Sequence, residues 1–409
     1  MNTLFVPGPR AGRELACANL VRAITALIYP DQMKILTIGH SYVVAMNRSI
    51  VREIAADENF EVVVGAPRFF KSMLRPIEIE TEDSGSRLEI TPLEVFFSQK
   101  MHFFFYHPSA LRSLLRSRKF DLVHIWEEPY IFAGFQVARE AHLAGVPFIF
   151  RTAQSYVKNY PFPFSYFEKK VREWKVGWVA GGKTVFEAMK KRGLEEDRGE
   201  IISLSVDTKK FKPISAGQRE EVLKRLGLQA PVIGMLGRIT EAKGITVLMQ
   251  ALDRLGGERP WNLLLMGSGD NAKIESWAKE RGWNNRVKIK LFSHEEVPSV
   301  LPAMDLLVAP SQTMPNWREQ FGRMLVEAFA CGVPVVGSSS GEIPFVIGEA
   351  GLVVDESDVD AWSEAIGRVL QDKVLHGDMV SKGLERARYF SSEQVAQRYK
   401  LFYRKTLSQ

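Results

Sequence analysis

A single stretch, Glu319-Gln-Phe-Gly-Arg-Met-Leu-Val-Glu-Ala-Phe-Ala-Cys-Gly-Val-Pro-Val-Val-Gly337, contains a helix pattern followed by a short apolar strand. Apolar residues over Arg323 to Ala330 recur at the spacing of one helix face. The run Val333 to Gly337 has the length and composition of a strand that is buried on both sides. A helix that leads into such a strand is typical of an α/β domain, so we expect a parallel sheet covered by helices.

The same alternation of strands and helices runs through two blocks of the chain. In the first block, buried strands are predicted at Lys34 to Ile38, Phe60 to Val64, Leu122 to Trp126, Phe148 to Arg151 and Trp178 to Ala180. In the second block, further strands are predicted at Val232 to Leu236, Trp261 to Met266, Val287 to Leu291, Asp305 to Ala309 and Gly351 to Val354. We therefore expect two doubly wound, Rossmann-like domains, residues 33–205 and 219–390, joined by a polar, Pro-containing linker at 206–218.

Three segments depart from this alternation. The irregular region Pro67 to Phe105 is expected to hold an antiparallel excursion. Residues 1–32 precede Met33-Lys-Ile-Leu-Thr-Ile-Gly39, which itself looks like a first strand. We therefore interpret residues 1–32 as an extension that is either not native or disordered. Residues 391–409 predict a last helix.

Bulk composition is that of a globular protein of two domains. The chain has 409 residues, of which 45% are apolar and 25% charged, and no window is long and uncharged enough to cross a bilayer. The N-terminal apolar run contains Arg22 and makes a poor secretory signal, so we expect a cytoplasmic protein. Two cysteines form no disulfide framework, and Cys331 reads as a small core residue. The seven histidines show no metal-ligand spacing, so no protein-bound metal is predicted.

The quoted stretch also carries functional chemistry. Glu319 and Glu327 flank Phe321-Gly322, where a helix begins, so backbone amides and two carboxylates are expected to face one site. Amides at a helix N-terminus hold phosphate oxygens, and carboxylates accept hydrogen bonds from sugar hydroxyls. Arg238 and Lys243, on a loop after a predicted strand, supply two cations suited to a leaving diphosphate. The alternative for each feature alone is a solvated surface.

The order of these motifs resembles the donor site of the family 4 retaining glycosyltransferases, which carry Glu, seven residues and Glu at this point. The resemblance implies a GT-B fold, in which two Rossmann-like domains face an interdomain cleft and the last helix, 391–409, crosses back to the N-terminal domain. It implies transfer of a sugar from a UDP-, GDP- or ADP-sugar to an acceptor hydroxyl. The acceptor would be a sugar or a lipid-linked molecule used in cell-surface polysaccharide or glycolipid synthesis.

Roles for individual residues follow from the same resemblance. Glu319, Arg238 and Lys243 would be catalytic, with Glu319 on the transferred sugar and the two cations on the diphosphate. Glu327 would accept from the ribose hydroxyls. The remaining donor-binding positions would be Gly39, Phe321, Gly322, Arg323 and Met324. Most family members have a second glycine after the first strand, where this chain has His40.

The acceptor side matches the family less well. Many family members carry a histidine after the strand that corresponds to Phe148 to Arg151, whereas this chain has Gln154, which cannot act as a base. A retaining reaction by front-face return needs no enzyme base in the strict sense, because the departing phosphate oxygen can take the proton. The acceptor-side candidates are Gln154 and, at the end of another strand, Glu127 and Glu128, and one of the two glutamates is expected to contact an acceptor hydroxyl.

Aromatic and basic residues mix at Arg68-Phe-Phe-Lys71 and at Tyr160-Pro-Phe-Pro-Phe164. Between Arg151 and Arg192 there are ten Lys or Arg against three acids. Such a surface fits an anionic membrane, although a solvated helix face is the plainer interpretation. No nucleic acid partner is expected, because no recognised nucleic-acid-binding module accompanies the charge.

Two alternatives to this glycosyltransferase remain open. One is a transferase of the glycogen or sucrose-phosphate synthase type, which shares the donor machinery. The other is a catalytically silent paralogue that binds a nucleotide sugar. The chain retains the donor-site residues of the family, which argues against a catalytically inactive paralogue. They are Glu319, Glu327, Arg238 and Lys243.

Overall fold

Residues 32–71, 76–82 and 85–408 are described by the structure, which is a computed structural model. The expected extension therefore lies outside the described residues except for Gln32, and so do Cys17 and the N-terminal apolar run. Contacts between residues divide the chain into two compact units. The first unit comprises the residues up to Ile149 together with Phe167–Val176 and Lys400–Gln409, and the second comprises Phe150–Tyr166 and Gly177–Tyr399.

The N-terminal half contains eleven strands among its described residues. They are β1 Met33–Ile38, β2 Phe60–Pro67, β3 Phe69–Lys71, β4 Pro76–Glu78, β5 Glu89–Leu93, β6 Val95–Phe96, β7 Phe105–Tyr106, β8 Leu122–Ile125, β9 Phe148–Thr152, β10 Gly177–Ala180 and β11 Gly199–Ile201. Seven of them form one sheet in the order β11-β10-β9-β8-β1-β2-β5. All five strands predicted in this half are confirmed. The expected antiparallel excursion is confirmed as well, because β3 pairs with β4 and β6 with β7 in antiparallel fashion.

Six parallel strands form the sheet of the C-terminal half, in the order β14-β13-β12-β15-β16-β17. Their bounds are β12 Val232–Leu236, β13 Asn262–Met266, β14 Val287–Lys290, β15 Leu306–Ala309, β16 Val335–Ser338 and β17 Leu352–Val354. The strands predicted here are also confirmed. Together the two sheets give the chain the GT-B fold, with two Rossmann-like parts.

Helices connect the strands in both halves. Those of the N-terminal half are α1 Ser49–Ala55, α2 Pro108–Ser117, α3 Phe132–Leu143, α4 Phe164–Trp174 and α5 Lys183–Lys191. Those that follow are α6 Ala216–Leu226, α7 Ile245–Leu255, α8 Asn271–Glu280, α9 Val297–Val300, α10 Arg323–Ala330, α11 Ile343–Ile347, α12 Val359–Gln371, α13 Lys373–Tyr389 and α14 Ser392–Leu407. Short 3₁₀ helices lie at His40–Val43, Ala45–Arg48, Glu241–Lys243 and Leu301–Ala303. No helix of the described chain is long and apolar enough to cross a membrane.

Alternate residues of the C-terminal strands fill two separate cores, because successive side chains of a strand point to opposite faces. Val232 of β12 and Leu307 of β15 lie in one core, which includes most of α10. Ile233 and Leu306, their neighbours in sequence, lie in the other core with α7 and α12. Both faces of the sheet are therefore covered, which leaves the ends of the strands as the places where polar loops can meet a ligand.

The predicted linker at 206–218 is packed against the second unit. Val206 and Phe211 are buried in one of its cores, and the Val206 amide donates to the carbonyl oxygen of Phe390 at 2.9 Å. Helix α6 begins at Ala216, inside the predicted linker, after Ser215 caps it with a capping box. The domain boundaries at 205 and 219 stay a prediction.

The end of α14 belongs to the first unit. Lys400 Nζ lies 2.8 Å from Asp57 Oδ2, and the Tyr403 hydroxyl lies 2.8 Å from Nδ1 of His124. His124 is fully buried within β8. It is thus a hydrogen-bonded core histidine.

Candidate functional site

Three loops of the second unit follow adjacent strands of the C-terminal sheet. Strands β12, β15 and β16 are parallel and in register, so their carboxyl ends reach the same edge. The loops are also hydrogen-bonded to one another. The Gln312 amide donates to Ala242 O at 2.9 Å, the Ser338 hydroxyl donates to Ser311 O at 2.6 Å, and the Glu342 amide donates to Glu319 O at 3.0 Å.

Two glycines allow the backbones of these loops to approach so closely. Gly244 has φ +78°, and a Cβ there would lie 1.8 Å from the carbonyl oxygen of Pro310. Gly341 has φ +58°, and a Cβ there would lie 2.0 Å from the carbonyl oxygen of Glu319. Only glycine tolerates both this backbone conformation and these contacts. The position of Glu319 is therefore fixed by backbone packing.

The structure brings two of the three predicted catalytic residues into direct contact. Lys243 Nζ lies 2.5 Å from Oε2 of Glu319, and the same oxygen accepts from the Ser311 hydroxyl at 3.1 Å. Glu319 is only 8% exposed, and Lys243 also lies over the ring of Trp317, 5.1 Å from its centroid. The two side chains thus form an ion pair that is mostly withdrawn from water.

Glu327 lies on α10, one turn after Arg323, and has a different environment. It is 7% exposed, and its carboxylate has no hydrogen-bond or ion-pair partner among the described residues. Burial raises its pKa to about 7, although the positive charge of Arg323 acts in the opposite direction. A mostly buried, unpaired carboxylate costs stability, so such a group marks a candidate for ligand binding.

The start of α10 is held in place by its backbone conformation and by side chains buried in the core. Gly322 has φ +76° and caps the helix in the left-handed conformation. Phe321 and Met324 are buried in the core beneath the helix, where the ring of Phe321 packs edge-on against that of Phe390 with centroids 5.4 Å apart. Arg323 is half-buried. These contacts orient the helix start, whereas a contact between these residues and a donor remains a prediction.

Arg238, the third predicted catalytic residue, lies exposed on the loop after β12. Within the described chain its guanidinium has no hydrogen-bond or ion-pair partner. The loop rests on the Gly-rich turn after β13, since a Cβ at Gly267 would lie 1.8 Å from Gly237 O and a Cβ at Gly269 would lie 2.0 Å from Ile239 O. The turn therefore has a clear structural role in supporting the loop that presents Arg238.

Three residues of this site were missed by the sequence reasoning. They are Ser311, Trp317 and Glu342. Ser311 follows a buried strand directly, which is the signal that could have found it. Glu342 is 1% exposed, and its carboxylate accepts from the backbone amides of Lys183 at 2.9 Å and Thr184 at 2.5 Å, at the start of α5. No sequence signal reveals this partner, because the two segments are some 160 residues apart.

In the first unit, the carboxyl ends of β1 and β8 bring together Gly39 and the predicted acceptor residues. A Cβ at Gly39 would lie 2.7 Å from the Cβ of Trp126, so a larger residue would collide with Trp126 at this strand end. Glu127 is 1% exposed and Glu128 is half-buried. An acceptor contact by either glutamate remains a prediction.

Gln154 lies in the second unit, on the segment after β9. Its side-chain amide donates to the hydroxyl of Tyr160 at 2.7 Å, and its backbone amide donates to the Thr152 hydroxyl at 3.2 Å. These contacts hold the segment in place. A role of Gln154 at the acceptor stays a prediction.

Acidic, histidine and cysteine side chains in the described residues form no group of three or more that could hold a metal ion. Cys331 is buried, and burial raises its pKa to about 12, which agrees with the core position predicted for it.

Comparison with known proteins finds relatives of the C-terminal part of the chain. Residues 218–386 match the family described as "Glycosyl transferases group 1". The chain is similar to the D-inositol 3-phosphate glycosyltransferase of Corynebacterium urealyticum, with 32% identity over 218 residues, which are 50% of this chain and 50% of the relative. It is 31% identical over 193 residues, 45% of this chain and 50% of the relative, to the GDP-mannose-dependent monoacylated alpha-(1-6)-phosphatidylinositol monomannoside mannosyltransferase of Corynebacterium glutamicum. The chain thus matches about half the length of these curated relatives.

Similarity of structure extends over more of the chain. The Anabaena protein HepE, in its complex with UDP and glucose, superimposes with a TM-score of 0.68 and 16% identity, covering 92% of this chain and 100% of that one. This likeness supports the fold of the part of the chain that it covers, and the likeness of sequence is confined to about half of the chain. Residues 218–386 are therefore similar to the group 1 glycosyl transferases, within a chain that has the GT-B fold.

Proposed function

We propose that this protein is a retaining glycosyltransferase of the family 4 type that moves a sugar from a nucleotide-diphosphate donor to an acceptor hydroxyl. The observation that carries the proposal is the Lys243–Glu319 pair, held at the strand ends of the C-terminal sheet beside the start of α10. The cation suits the diphosphate and the carboxylate suits the sugar. Arg238 supplies a second cation from the neighbouring loop, and Glu327 supplies a carboxylate for the ribose.

The relatives support this assignment by what their names say of them. One is named for transfer to an inositol phosphate, another uses GDP-mannose and a phosphatidylinositol monomannoside, and HepE was solved with UDP and glucose. For this chain we propose a nucleotide-sugar donor and a sugar or lipid-linked acceptor in cell-surface polysaccharide or glycolipid synthesis.

A nucleotide sugar of the correct base is expected to raise the melting temperature of the protein. A ligand that binds only the native state stabilises it by about 2.7 kcal/mol at a concentration one hundred times its Kd. The measurement is a thermal shift against UDP-, GDP- and ADP-sugars, with the free sugars as controls. Hydrolysis of the donor that shifts the protein then separates an enzyme from a silent paralogue. If none of the donors shifts the melting temperature, the proposal is wrong.

We also propose that the protein works at the cytoplasmic surface of an anionic membrane. The antiparallel excursion of the first unit exposes the large apolar side chains of Phe69, Phe97 and Phe103 and also the cation Lys71. Aromatic rings bind in the interfacial region of a bilayer and cations bind at anionic headgroups. This mixture suits a peripheral protein that collects a lipid-linked acceptor.

Vesicle sedimentation tests the membrane proposal. The protein is expected to sediment with vesicles that contain anionic lipid and to remain in the supernatant with neutral vesicles. Phe69→Ser and Lys71→Glu should each reduce binding several-fold, because they remove an interfacial ring and reverse a charge. Leu401→Ser, at an exposed apolar position on α14, is the matched control and should bind as the wild type does. Equal partition into both kinds of vesicle would exclude an electrostatic attachment.

A further inference from the structure

Trp317 lies at the end of a tight hairpin in the loop after β15. The Met314 amide donates to the carbonyl oxygen of Trp317 at 2.7 Å, and the Trp317 amide donates back to the carbonyl oxygen of Met314 at 3.3 Å. Pro315 occupies the turn between them, where its ring fixes one backbone angle. Glu319 follows only two residues later, so the hairpin leads directly into the candidate site.

Two other segments of the second unit hold this hairpin in place. On one side, the amide and the hydroxyl of Thr313 both donate to Oε2 of Glu356, each at 2.9 Å. On the other side, the Tyr156 hydroxyl donates to the carbonyl oxygen of Met314 at 3.0 Å. The backbone around Trp317 is therefore fixed before any ligand binds, which lowers the entropic cost of binding there.

The indole of Trp317 belongs to the same cluster as the Lys243–Glu319 pair. Lys243 Nζ lies 5.1 Å from the centroid of the Trp317 ring and 2.5 Å from Oε2 of Glu319. An ammonium is attracted to the face of an indole, so this contact helps to orient the ring. Trp317 is half-buried, so part of the ring stays accessible. A ligand held by the pair therefore comes within reach of the indole.

The Nε1–H group of Trp317 differs from those of the fully buried tryptophans. In Trp178, Trp261 and Trp362 this group donates to a backbone carbonyl oxygen at 2.8 to 3.1 Å. The same group of Trp317 has no hydrogen-bond partner among the residues that the structure describes. An indole that is buried by its own fold usually finds such a partner. Trp317 thus combines an apolar ring with a donor that is left for a ligand or for water.

This combination matches the two kinds of surface that a sugar ring presents. A pyranose has C–H groups on its faces and hydroxyl oxygens around its edge. The indole can cover the C–H groups, and Nε1–H can donate to a hydroxyl oxygen. A nucleobase also stacks on an indole, but the ribose and the diphosphate separate it from the transferred sugar. Trp317 lies on the loop of Glu319, which favours the sugar.

We propose that Trp317 is a specificity-determining residue that packs against the transferred sugar of the donor. The inference rests on the proposed glycosyltransferase function, in which Glu319 contacts that sugar and Lys243 the diphosphate. Trp317 supplies an apolar wall and one hydrogen-bond donor, and it takes no part in breaking or forming bonds. It therefore affects which sugars bind and how tightly, whereas the nucleotide without a sugar binds independently of it.

Calorimetric titration with two ligands of the same base tests this role. The ligands are the nucleotide sugar that raises the melting temperature of the wild type and the matching nucleoside diphosphate without a sugar. Trp317→Ala is expected to weaken the nucleotide sugar about tenfold and to change the affinity for the nucleoside diphosphate less than about twofold. The melting shift that the nucleoside diphosphate causes shows that the variant is folded.

Trp317→Phe separates the ring from its N–H group. The variant keeps an aromatic face, so it should keep most of the affinity for the nucleotide sugar. It should lose discrimination between donors of the same base whose sugars differ in one hydroxyl, and the ratio of their kcat/KM values for hydrolysis should change about five- to tenfold. Trp283→Phe, at another half-buried tryptophan of the second unit, is the matched control and should keep the wild-type ratio.

The outcomes separate this role from the proposed function. If Trp317→Ala weakens both ligands equally, the residue acts on the nucleotide or through Lys243, so its role at the sugar is wrong and the transferase stands. Unchanged binding of both ligands overturns the role as well. An unchanged ratio in Trp317→Phe overturns the hydrogen bond from Nε1. If no nucleotide sugar binds to the wild type, the proposed function falls, and the role of Trp317 falls with it.

Discussion

Replacement of Glu319 by Gln is expected to lower donor turnover about 10²- to 10³-fold while it leaves nucleotide affinity nearly unchanged. The proposed contact of Glu319 is to the transferred sugar, whose ring gains positive charge as its bond to the diphosphate breaks. A carboxylate stabilises that charge in the transition state more than in the ground state, so its loss appears in kcat. The measurement is steady-state hydrolysis of the donor, compared with nucleotide binding by calorimetry.

The Lys243–Glu319 pair makes a second, sharper test possible. Each single variant, Glu319→Gln or Lys243→Met, leaves the other member mostly buried without its charged partner. The double variant removes both charges together. Its loss of kcat/KM should therefore be much smaller than the product of the two single losses, because the residues act as one unit.

Glu275→Gln, at an exposed position on α8, is the control for a general effect of removing a carboxylate. It should leave both the turnover and the affinity as they are in the wild type. Strictly multiplicative losses in the double variant would show that the two residues act independently, and full turnover of Glu319→Gln would show that Glu319 takes no part in the reaction.

The sequence predicted the strands well because each is a short, continuous apolar run between helices. Val232 to Leu236 and Leu122 to Trp126 differ from the observed strands by at most one residue. Helix α6 was missed, although Ser215 and Gln218 form a capping box, because the Pro-containing stretch before it was interpreted as a linker. Local turn signals outweighed a correct helix signal there.

The sequence predicted which loops form the candidate site but not the distances between their side chains. Motif spacing indicates which loops carry Lys243 and Glu319, and parallel strands bring such loops to one edge. The distance between the two side chains depends on backbone contacts such as that of Gly244 with Pro310, which no single-residue pattern encodes. The prediction placed Glu127 correctly at the end of a strand. It did not include the contacts of Glu127 with Tyr106 and His40, which approach from other segments and cover its carboxylate.

Glu327 is expected to make the stability of the protein fall as the pH rises. Its pKa is about 7 in the folded state, against an ordinary value of 4.5. Below pH 4.5 the carboxyl is protonated in both states. Between pH 4.5 and 7 the unfolded chain gives up a proton that the folded chain keeps, so folding becomes less favourable. The total loss is about 3 kcal/mol, and it is complete above pH 7.

Urea unfolding at pH 5 and pH 8 measures this difference. Glu327→Gln is the control, since the amide has nearly the same shape and no charge at either pH. The variant should lose about 2.5 kcal/mol less than the wild type between the two pH values, because part of the total is already lost at pH 5. Equal pH dependence of both proteins would show that Glu327 is already ionised in the folded state below pH 7.

Nucleotide binding should respond to pH in the opposite direction. Ribose hydroxyls donate hydrogen bonds, so the donor is expected to favour the ionised carboxylate and to release a proton when it binds at lower pH. Affinity of the wild type should therefore rise up to about tenfold per pH unit below pH 7 and level off above it. Glu327→Gln should bind more weakly at pH 8 and lack this rise. Binding of a donor at Glu327 would relieve the cost of a buried carboxylate that has no partner among the described residues.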